Sequence, residues 1–442
     1  MMKKAEMQEQ EFLEICSSYD YDLLTNKIEM TLKDYQRITY LVGSLGYSQC
    51  ILITDLVTSG LYTISYMALA ERKMRIMSDK KIGVLGGSGE IGKRCVNILT
   101  EKGYTVMASY RTQKPMENNE NVYVQLDICN ENELCMFMAN CDVVINCAGA
   151  SFINGEKIAR TAAKMKIPLV DPSGESFLEE RIKDIQKDNV FVLSSGCFPG
   201  MTGVLLNFLC SQFDDVKSLS GMSISTEIPS QSAIEDFILT NIAGFGQPLK
   251  YYNNGEYVRD EQIFYEIVRN SEFKLQNYYT VELERVVKKY RPEKANWYNV
   301  LFAEEIMKKM QEAVVQFSAR GYSDEFRRIV AEIKKIFADN VKNNEAFNFL
   351  KVEANGTKNG SVTGRKVEIL NDSSSQISAL IASHASIELL NKKIVPGIYY
   401  ATDIIKGDIV LGDLPKLNID LNISEYVMQE ESFDDEFEEG TI

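Results

Sequence analysis

The chain has one histidine, His384, in 442 residues, and that scarcity excludes a metal cluster built on imidazole ligands. Nine cysteines are present, an odd number with no paired zinc-type spacing. No signal peptide precedes them, so they read as reduced thiols of a cytoplasmic protein, with no metal site. Positive charge is also short. The net charge of -15 and the isoelectric point near 4.9 argue against non-specific binding to nucleic acid or to an anionic membrane. A long apolar run is missing as well. Between residues 38 and 70 the only charge is Asp55, but Gly43, Ser44, Gly46, Gln49, Thr54, Ser59 and Gly60 cut the stretch into pieces too short and polar to span a bilayer. Seven acidic side chains and no basic one occupy residues 429–439, which read as a solvated tail.

Apolar residues at 45% and charged residues at 25% are ordinary for a globular chain, and the length suggests about two or three domains. Residues 81–99 organise the rest. The apolar run Ile82, Gly83, Val84, Leu85 leads into Gly86, Gly87, Ser88, Gly89, Glu90, Ile91 and Gly92, and a helical pattern of Ile91, Cys95, Ile98 and Leu99 follows. Strand, glycine turn and helix in that order make a dinucleotide site. Gly87 serves the tight turn, Gly89 the approach of a pyrophosphate and Gly92 the packing of helix on strand, while the helix N-terminus offers N–H groups to phosphate.

A second strand over residues 104–108 is followed by Ser109, Tyr110 and Arg111. NAD sites usually carry an acid here for the ribose 2′-hydroxyl; its absence, with Arg111 in place, favours NADP(H) over NAD(H). A third strand over 122–126 ends at Asp127 and Ile128, where Asp127 either holds the adenine edge or simply ends the strand. A fourth, over 141–147, ends in Cys147, Ala148, Gly149 and Ala150 at the carboxyl edge, where open α/β sheets bind ligand. A helix is expected over 155–165, a strand over 168–170, the turn Asp171, Pro172, Ser173, Gly174, Glu175, and a strand over 190–193 leading to Cys197. Alternating strand and helix at this spacing predicts an α/β fold with a doubly wound parallel sheet.

These motifs together resemble the saccharopine dehydrogenase family, in particular its saccharopine reductase-like branch, which also holds carboxynorspermidine dehydrogenases and trans-acting enoyl reductases. The resemblance runs through Gly86 to Gly92, Asp142 to Gly149, Gly155 and Glu156, Val170 to Glu175, and Gly196 to Gly200, and more loosely over residues 80–412. It implies an inserted α+β domain that supplies the substrate pocket and the contact of a homodimer. The expected layout is a small, mostly helical module over 1–78, an NADP-binding Rossmann domain over 79–212, the α+β substrate domain over 213–374, a return to the Rossmann domain over 375–425 and an acidic disordered tail over 426–442. Within the inserted domain, strands are expected over 219–226 and 279–287, hairpins over 244–258 and 349–369, and helices over 300–317 and 323–337. A returning helix over 375–390 would hold His384 in a structural role.

The cofactor contacts expected are Gly86 to Gly92, Ser109, Tyr110, Arg111, Asp127, Ile128, Cys147 to Ala150, Ser173 and Gly174. Hydride transfer asks the protein mainly for a dry, shaped site, and reduction of an imine also needs a proton at nitrogen. Glu175, Asp171 and Cys197 are the candidate catalytic residues; Asp171 and Ser173 equally suit turn capping, and Cys197 suits packing on the nicotinamide. The expected activity is NADPH-dependent reduction of a C=N bond, or oxidation of the corresponding secondary amine, in a small-molecule or carrier- or peptide-tethered intermediate. The alternatives are C=C or C=O reduction and a non-catalytic NADP(H) sensor.

Overall fold

The computed structural model describes residues 80–115, 122–341 and 346–427, so the expected N-terminal module and the acidic run over 429–439 lie outside the described residues. The first half of the chain alternates strand and helix: β1 (Lys81–Leu85), α1 (Glu90–Glu101), β2 (Thr105–Tyr110), β3 (Val122–Gln125), α2 (Glu131–Met138), β4 (Val143–Asn146), α3 (Ser151–Met165), β5 (Leu169–Val170), α4 (Ser176–Ile182), β6 (Val190–Leu193) and α5 (Met201–Cys210). A second set follows: β7 (Asp215–Ser225), α6 (Gln231–Ile242), β8 (Gly246–Pro248), β9 (Lys250–Asn253), β10 (Glu256–Arg259), β11 (Phe264–Val268), β12 (Ser271–Thr280), α7 (Val281–Tyr290), β13 (Lys294–Val300), α8 (Glu304–Arg320), α9 (Asp324–Val341), β14 (Asn348–Lys358) and β15 (Ser361–Asn371). The chain then returns through α10 (Ser374–Asn391), β16 (Gly397–Tyr400), α11 (Ala401–Ile404) and α12 (Gly407–Asp413), and ends in β17 (Asp420–Val427).

The first sheet has seven strands in the order β3-β2-β1-β4-β5-β6-β16. β1 runs parallel to β4, β4 to β5, β5 to β6, β6 to β16 and β2 to β3. This is the doubly wound order with one strand added. The strands β4 (Val143, Val144, Ile145, Asn146) and β6 (Val190, Phe191, Val192, Leu193) are buried at every position, as strands covered by helices on both faces must be. The second sheet has ten strands, with a path β10-β9-β13-β7-β14-β15-β17 and β12 pairing with β13, β11 and β8. It is mixed: β7 and β13 are parallel, whereas β14 is antiparallel to both β7 and β15. The helices α6, α8 and α9 share a separate apolar cluster of Ile234, Ile238, Ile306, Phe326 and Ile333.

Two hairpins form where asparagine and glycine permit a left-handed turn: Asn254 and Gly255 (φ 48° and 93°) between β9 and β10, and Asn359 and Gly360 (φ 51° and 79°) between β14 and β15. The expected loop over 355–360 is shorter, because β14 and β15 pair to the end at Lys358 and Ser361. The strand expected over 279–287 is corrected to the end of β12 followed by the helix α7. Thr280 caps it by accepting a hydrogen bond from the Leu283 N–H at 3.1 Å, Glu282 and Glu284 fill the first turn and Lys288 and Lys289 the last. Leu283, Val286 and Val287 then fall on one buried face, a helical rather than an alternating pattern. The helix expected from residue 300 starts at Glu304, since Val300 still belongs to β13. α3 starts at Ser151, four residues before the expected start at 155. Thr280→Ala is expected to cost about 1 kcal/mol through loss of the cap, read as a lower midpoint in urea denaturation with the slope unchanged.

Candidate functional site

The carboxyl ends of β1, β4, β5 and β6 share one edge of the parallel sheet, and β1 and β4 adjoin at the point where the winding reverses. Between β1 and α1 the glycine turn closes through the Gly89 N–H, which donates to the Gly86 carbonyl at 2.9 Å. A Cβ on Gly92 would run into the Gly86 carbonyl, and one on Gly87 would lie 2.6 Å from the Ala108 Cβ. Gly89 and Glu90 are exposed at the start of α1, so this helix N-terminus opens on the carboxyl edge of the sheet. Ser109, at the end of β2, is buried and accepts the Gly86 N–H at 2.9 Å, which pins the turn to the second strand. Tyr110 is half-buried and Arg111 exposed just beyond it. Asp127 ties down its own loop, accepting the Cys129 N–H at 2.9 Å, and Ile128 packs on the core.

The β4 end and the turn after β5 are held together by Asp171, which is fully buried. Its Oδ2 accepts from Asn146 Nδ2 at 2.8 Å and from Ser151 Oγ at 2.9 Å. Its Oδ1 accepts the Ser173 and Gly174 N–H groups at 3.0 and 2.7 Å. Burial pushes the carboxyl upward and these donors pull it back. All four lone-pair directions are in use, so Asp171 organises the turn and has no free atom with which to move a proton. Ala148 donates its N–H to Asn146 Oδ1 at 3.2 Å, which shapes the loop through Gly149 and Ala150. The Cys147 thiol is pushed well up by its hydrogen bond with Cys95 and by burial.

Two further buried carboxylates come from the inserted domain, and neither was singled out from the sequence. Asp236 of α6 accepts the N–H groups of Ser151 and Phe152 at 3.1 and 3.0 Å, capping α3, whose own N-cap residue Ala150 has no side chain to do so. Burial raises it to about 7. Glu282 of α7 accepts from the N–H groups of Gly200 and Gly203 at 2.8 and 3.2 Å and from Thr202 Oγ1 at 2.5 Å, capping α5 in the same way; burial raises it to about 7. Negative charge at a helix N-terminus is favourable, and here it also ties the inserted domain to the loops of the nucleotide domain. The available signals were Ser230 as an N-cap ahead of Ile234 and Ile238, and Thr280 ahead of Leu283.

Glu175 caps α4, where its Oε2 accepts the Ser176 N–H at 2.6 Å and the Ser176 hydroxyl. Its Oε1 is buried and has no hydrogen-bond partner, and burial raises the carboxyl. Tyr278, Tyr400 and Glu282 all lie within electrostatic reach of it. Cys197 is 5% exposed, its N–H donates to Ser378 Oγ at 3.0 Å, and burial pushes its thiol far up. A thiol raised in this way is a poor nucleophile, which suits the packing expected of Cys197. His384 ties α10 to α12 through Asp413 Oδ2 at 3.0 Å, away from these groups in the chain and in a structural role. Among the described residues no group of histidine, cysteine and carboxylate side chains is arranged to hold a metal ion. No helix among them is long and apolar enough to cross a membrane.

This turn, edge and strand order define a dinucleotide-binding Rossmann domain, and residues 82–203 match the model of the NAD dependent epimerase/dehydratase family. The larger architecture is that of saccharopine dehydrogenase. The solved saccharopine dehydrogenase (L-Glu forming) of Saccharomyces cerevisiae superposes with a TM-score of 0.57 at 13% identity, over 79% of this chain and 100% of that one. DAP dehydrogenase from C. glutamicum in complex with DAP gives 0.40 at 10% identity, over 77% and 99%. Uronate dehydrogenase from Agrobacterium tumefaciens gives 0.19 at 18% identity, over 21% and 40%. No curated protein is a significant match to the chain. The fold is therefore that of an NAD(P)-dependent oxidoreductase of the saccharopine dehydrogenase type.

Asp236 carries a prediction of pH dependence. The folded chain holds its proton more tightly than the unfolded chain, whose aspartate titrates near the ordinary value, so this stabilisation is complete at low pH and is lost as the pH rises from about 4 to about 7. Asp236→Asn should flatten that fall by on the order of 3 kcal/mol, in urea denaturation compared at the two ends of this window. Parallel pH profiles for the two proteins would refute the assignment.

Proposed function

We propose that the protein is an NADPH-dependent oxidoreductase that reduces a C=N bond, or oxidises the corresponding secondary amine, in a biosynthetic intermediate. The observation that carries this reading is the buried, unpartnered Oε1 of Glu175 in the turn that follows β5 at the carboxyl edge of the sheet. When bound, the cofactor supplies a hydride equivalent. The open N–H groups at the start of α1 take its diphosphate, and Gly86, Gly87 and Gly92 leave the backbone bare where it lies. Ala148, Gly149 and Ala150 line the dinucleotide, with Ser173 and Gly174 beyond them. Glu175 carries the proton that the substrate nitrogen takes up, and the raised carboxyl suits that role. Asp171 and Asn146 fix the turn from which Glu175 projects.

Support for NADPH comes from the end of β2, where no acid is present and the exposed Arg111 guanidinium stands ready for a 2′-phosphate. The reading extends to a cytoplasmic homodimer, supported by the exposed apolar Tyr265 and Ile267 of β11. It also extends to a carrier- or peptide-tethered substrate presented with the help of residues 1–78, which fall outside the resemblance.

The decisive experiment titrates the protein with NADPH and with NADH, then incubates it with NADPH and the small metabolites of the source cells under mass spectrometry. A product about two mass units heavier than a vanished metabolite establishes the reductase; the gain is the same for C=N, C=C and C=O, so the structures of metabolite and product, from fragmentation, tell which bond was reduced. Binding without turnover of any metabolite would favour a sensor. Arg111→Asp should weaken NADPH far more than NADH, by about tenfold or more, whereas equal loss for both would remove Arg111 from the cofactor site. Glu175→Gln should lower kcat by about a hundredfold or more with NADPH affinity intact. In the wild type kcat should fall as the pH rises through the raised Glu175 value, and in the variant that limb should be absent.

A further inference from the structure

The start of α3, just after the loop of Ala148, Gly149 and Ala150, is packed against the inserted domain. Asp236 accepts the Ser151 and Phe152 N–H groups at 3.1 and 3.0 Å. From there a chain of rings leads outward: Phe152 meets Phe317 of α8 at 6.1 Å, Phe317 meets Phe326 of α9 at 5.4 Å, and Phe326 meets Tyr322 at 5.8 Å between centroids. The residue before Asp236 closes the path, because Glu235 Oε2 accepts the Tyr322 hydroxyl at 3.0 Å. The turn between α8 and α9, residues 321–323, is thereby tied to the strand-edge loop that follows β4.

This turn holds one ring still. Gly321, φ 63°, ends α8 in a left-handed conformation that a side chain would strain, and Ser323 opens α9 by accepting the Phe326 N–H on its hydroxyl at 3.3 Å. Tyr322 lies between them. A surface tyrosine ordinarily turns its polar tip to water. Here the tip goes inward, to a glutamate 4% exposed whose other oxygen accepts from Gln231 Nε2 at 3.1 Å. Burial and the Glu235 carboxylate push the hydroxyl up to about 12, so it remains a donor. The ring is anchored by its tip while the residue stays 42% exposed.

Cations flank that ring. The Arg327 guanidinium lies 5.7 Å from the ring centroid, in cation–π range, and its acid Asp324 is almost fully exposed, which makes the pair weak. The Arg111 guanidinium makes no hydrogen bond or ion pair among the described residues, and it lies within electrostatic reach of the Tyr322 hydroxyl. A fixed aromatic face takes a base by stacking, and paired guanidinium groups grip a phosphate.

We propose that the turn between α8 and α9 completes the NADPH site from the inserted domain, with the Tyr322 ring stacked on the adenine and Arg327 facing Arg111 across the 2′-phosphate. The inference rests on the oxidoreductase reading above and names residues of the inserted domain that choose between the two dinucleotides.

Fluorescence titration of the full chain with NADPH and with NADH, wild type against three variants, tests it. The wild type should bind NADPH more tightly than NADH. Arg327→Ala should weaken NADPH by about tenfold and leave NADH within about twofold. Tyr322→Ala should weaken both by about tenfold, whereas Tyr322→Phe, which keeps the ring and loses the bond to Glu235, should stay within about threefold of the wild type. An unchanged NADPH affinity in either alanine variant, or equal loss of NADH and NADPH in Arg327→Ala, would overturn the proposal. So would a Tyr322→Phe that falls as far as Tyr322→Ala, since the hydroxyl would then serve as a structural tie. The Arg327 side chain is 49% exposed, so its variant keeps the test open if Tyr322→Ala does not fold. If the wild type binds neither nucleotide, the oxidoreductase reading falls; if it binds NADPH and the variants match it, only the role of this turn falls.

Discussion

The Asp171 carboxylate takes four hydrogen bonds at a fully buried point, from Asn146, Ser151, Ser173 and Gly174, and the geometry of the strand edge follows from them. It draws together the end of β4, the start of α3 and the turn after β5. The Gly174 carbonyl continues the lacing by accepting the Ser194 N–H at 2.6 Å, and the Asp171 carbonyl accepts the Ser195 N–H at 3.2 Å. Ser194 holds a left-handed backbone there, φ 47°, a conformation that costs a non-glycine residue energy and persists because its neighbours fix it. A buried acid with every acceptor position filled is a stiff joint. That stiffness is what a hydride-transfer site asks of its surroundings, since a misplacement on the order of 1 Å lowers the rate steeply.

The inserted domain is fastened to this edge by charge as well as by packing. Asp236 and Glu282 each close the N-terminus of a helix in the nucleotide domain, α3 and α5, whose own N-cap residues Ala150 and Gly200 bring no side-chain acceptor. Either helix start would otherwise leave buried N–H groups without partners. The two domains thus complete each other's backbone hydrogen bonding, and the loops that follow β4 and β6 are positioned from both sides.

The nucleotide domain was legible in the sequence because its signals are local. A glycine turn of fixed spacing, fully apolar strands and an Asn146 to Gly149 strand end are each read within about ten residues, and the strand order follows from alternation. The inserted domain was legible only in outline. Residues 279–287 look strand-like through Tyr279, Val281 and Val286, and only the Thr280 cap and the acid-to-base polarity of α7 mark a helix. That one misreading hid Glu282. Asp236 was hidden differently: nothing within α6 announces that an aspartate facing its own neighbours will cap a helix 85 positions earlier in the chain. The sequence suggested three catalytic candidates, and the geometry separates them by their unmade bonds: Asp171 has none to offer, the Cys197 thiol is held protonated and Glu175 keeps one oxygen.

The last strand of the parallel sheet, β16, comes from residues 397–400 and lies against β6 at residues 190–193. During synthesis the whole inserted domain therefore emerges between the two halves of one sheet. At ordinary translation rates the interval is roughly 10 to 40 s, far longer than a small domain takes to collapse. Through that interval β6 is a bare, apolar edge whose pairing groups invite another chain. The ribosome-bound intermediate is thus an aggregation-prone form of this protein, and an early stop between β6 and β16 would release a chain with that edge permanently open.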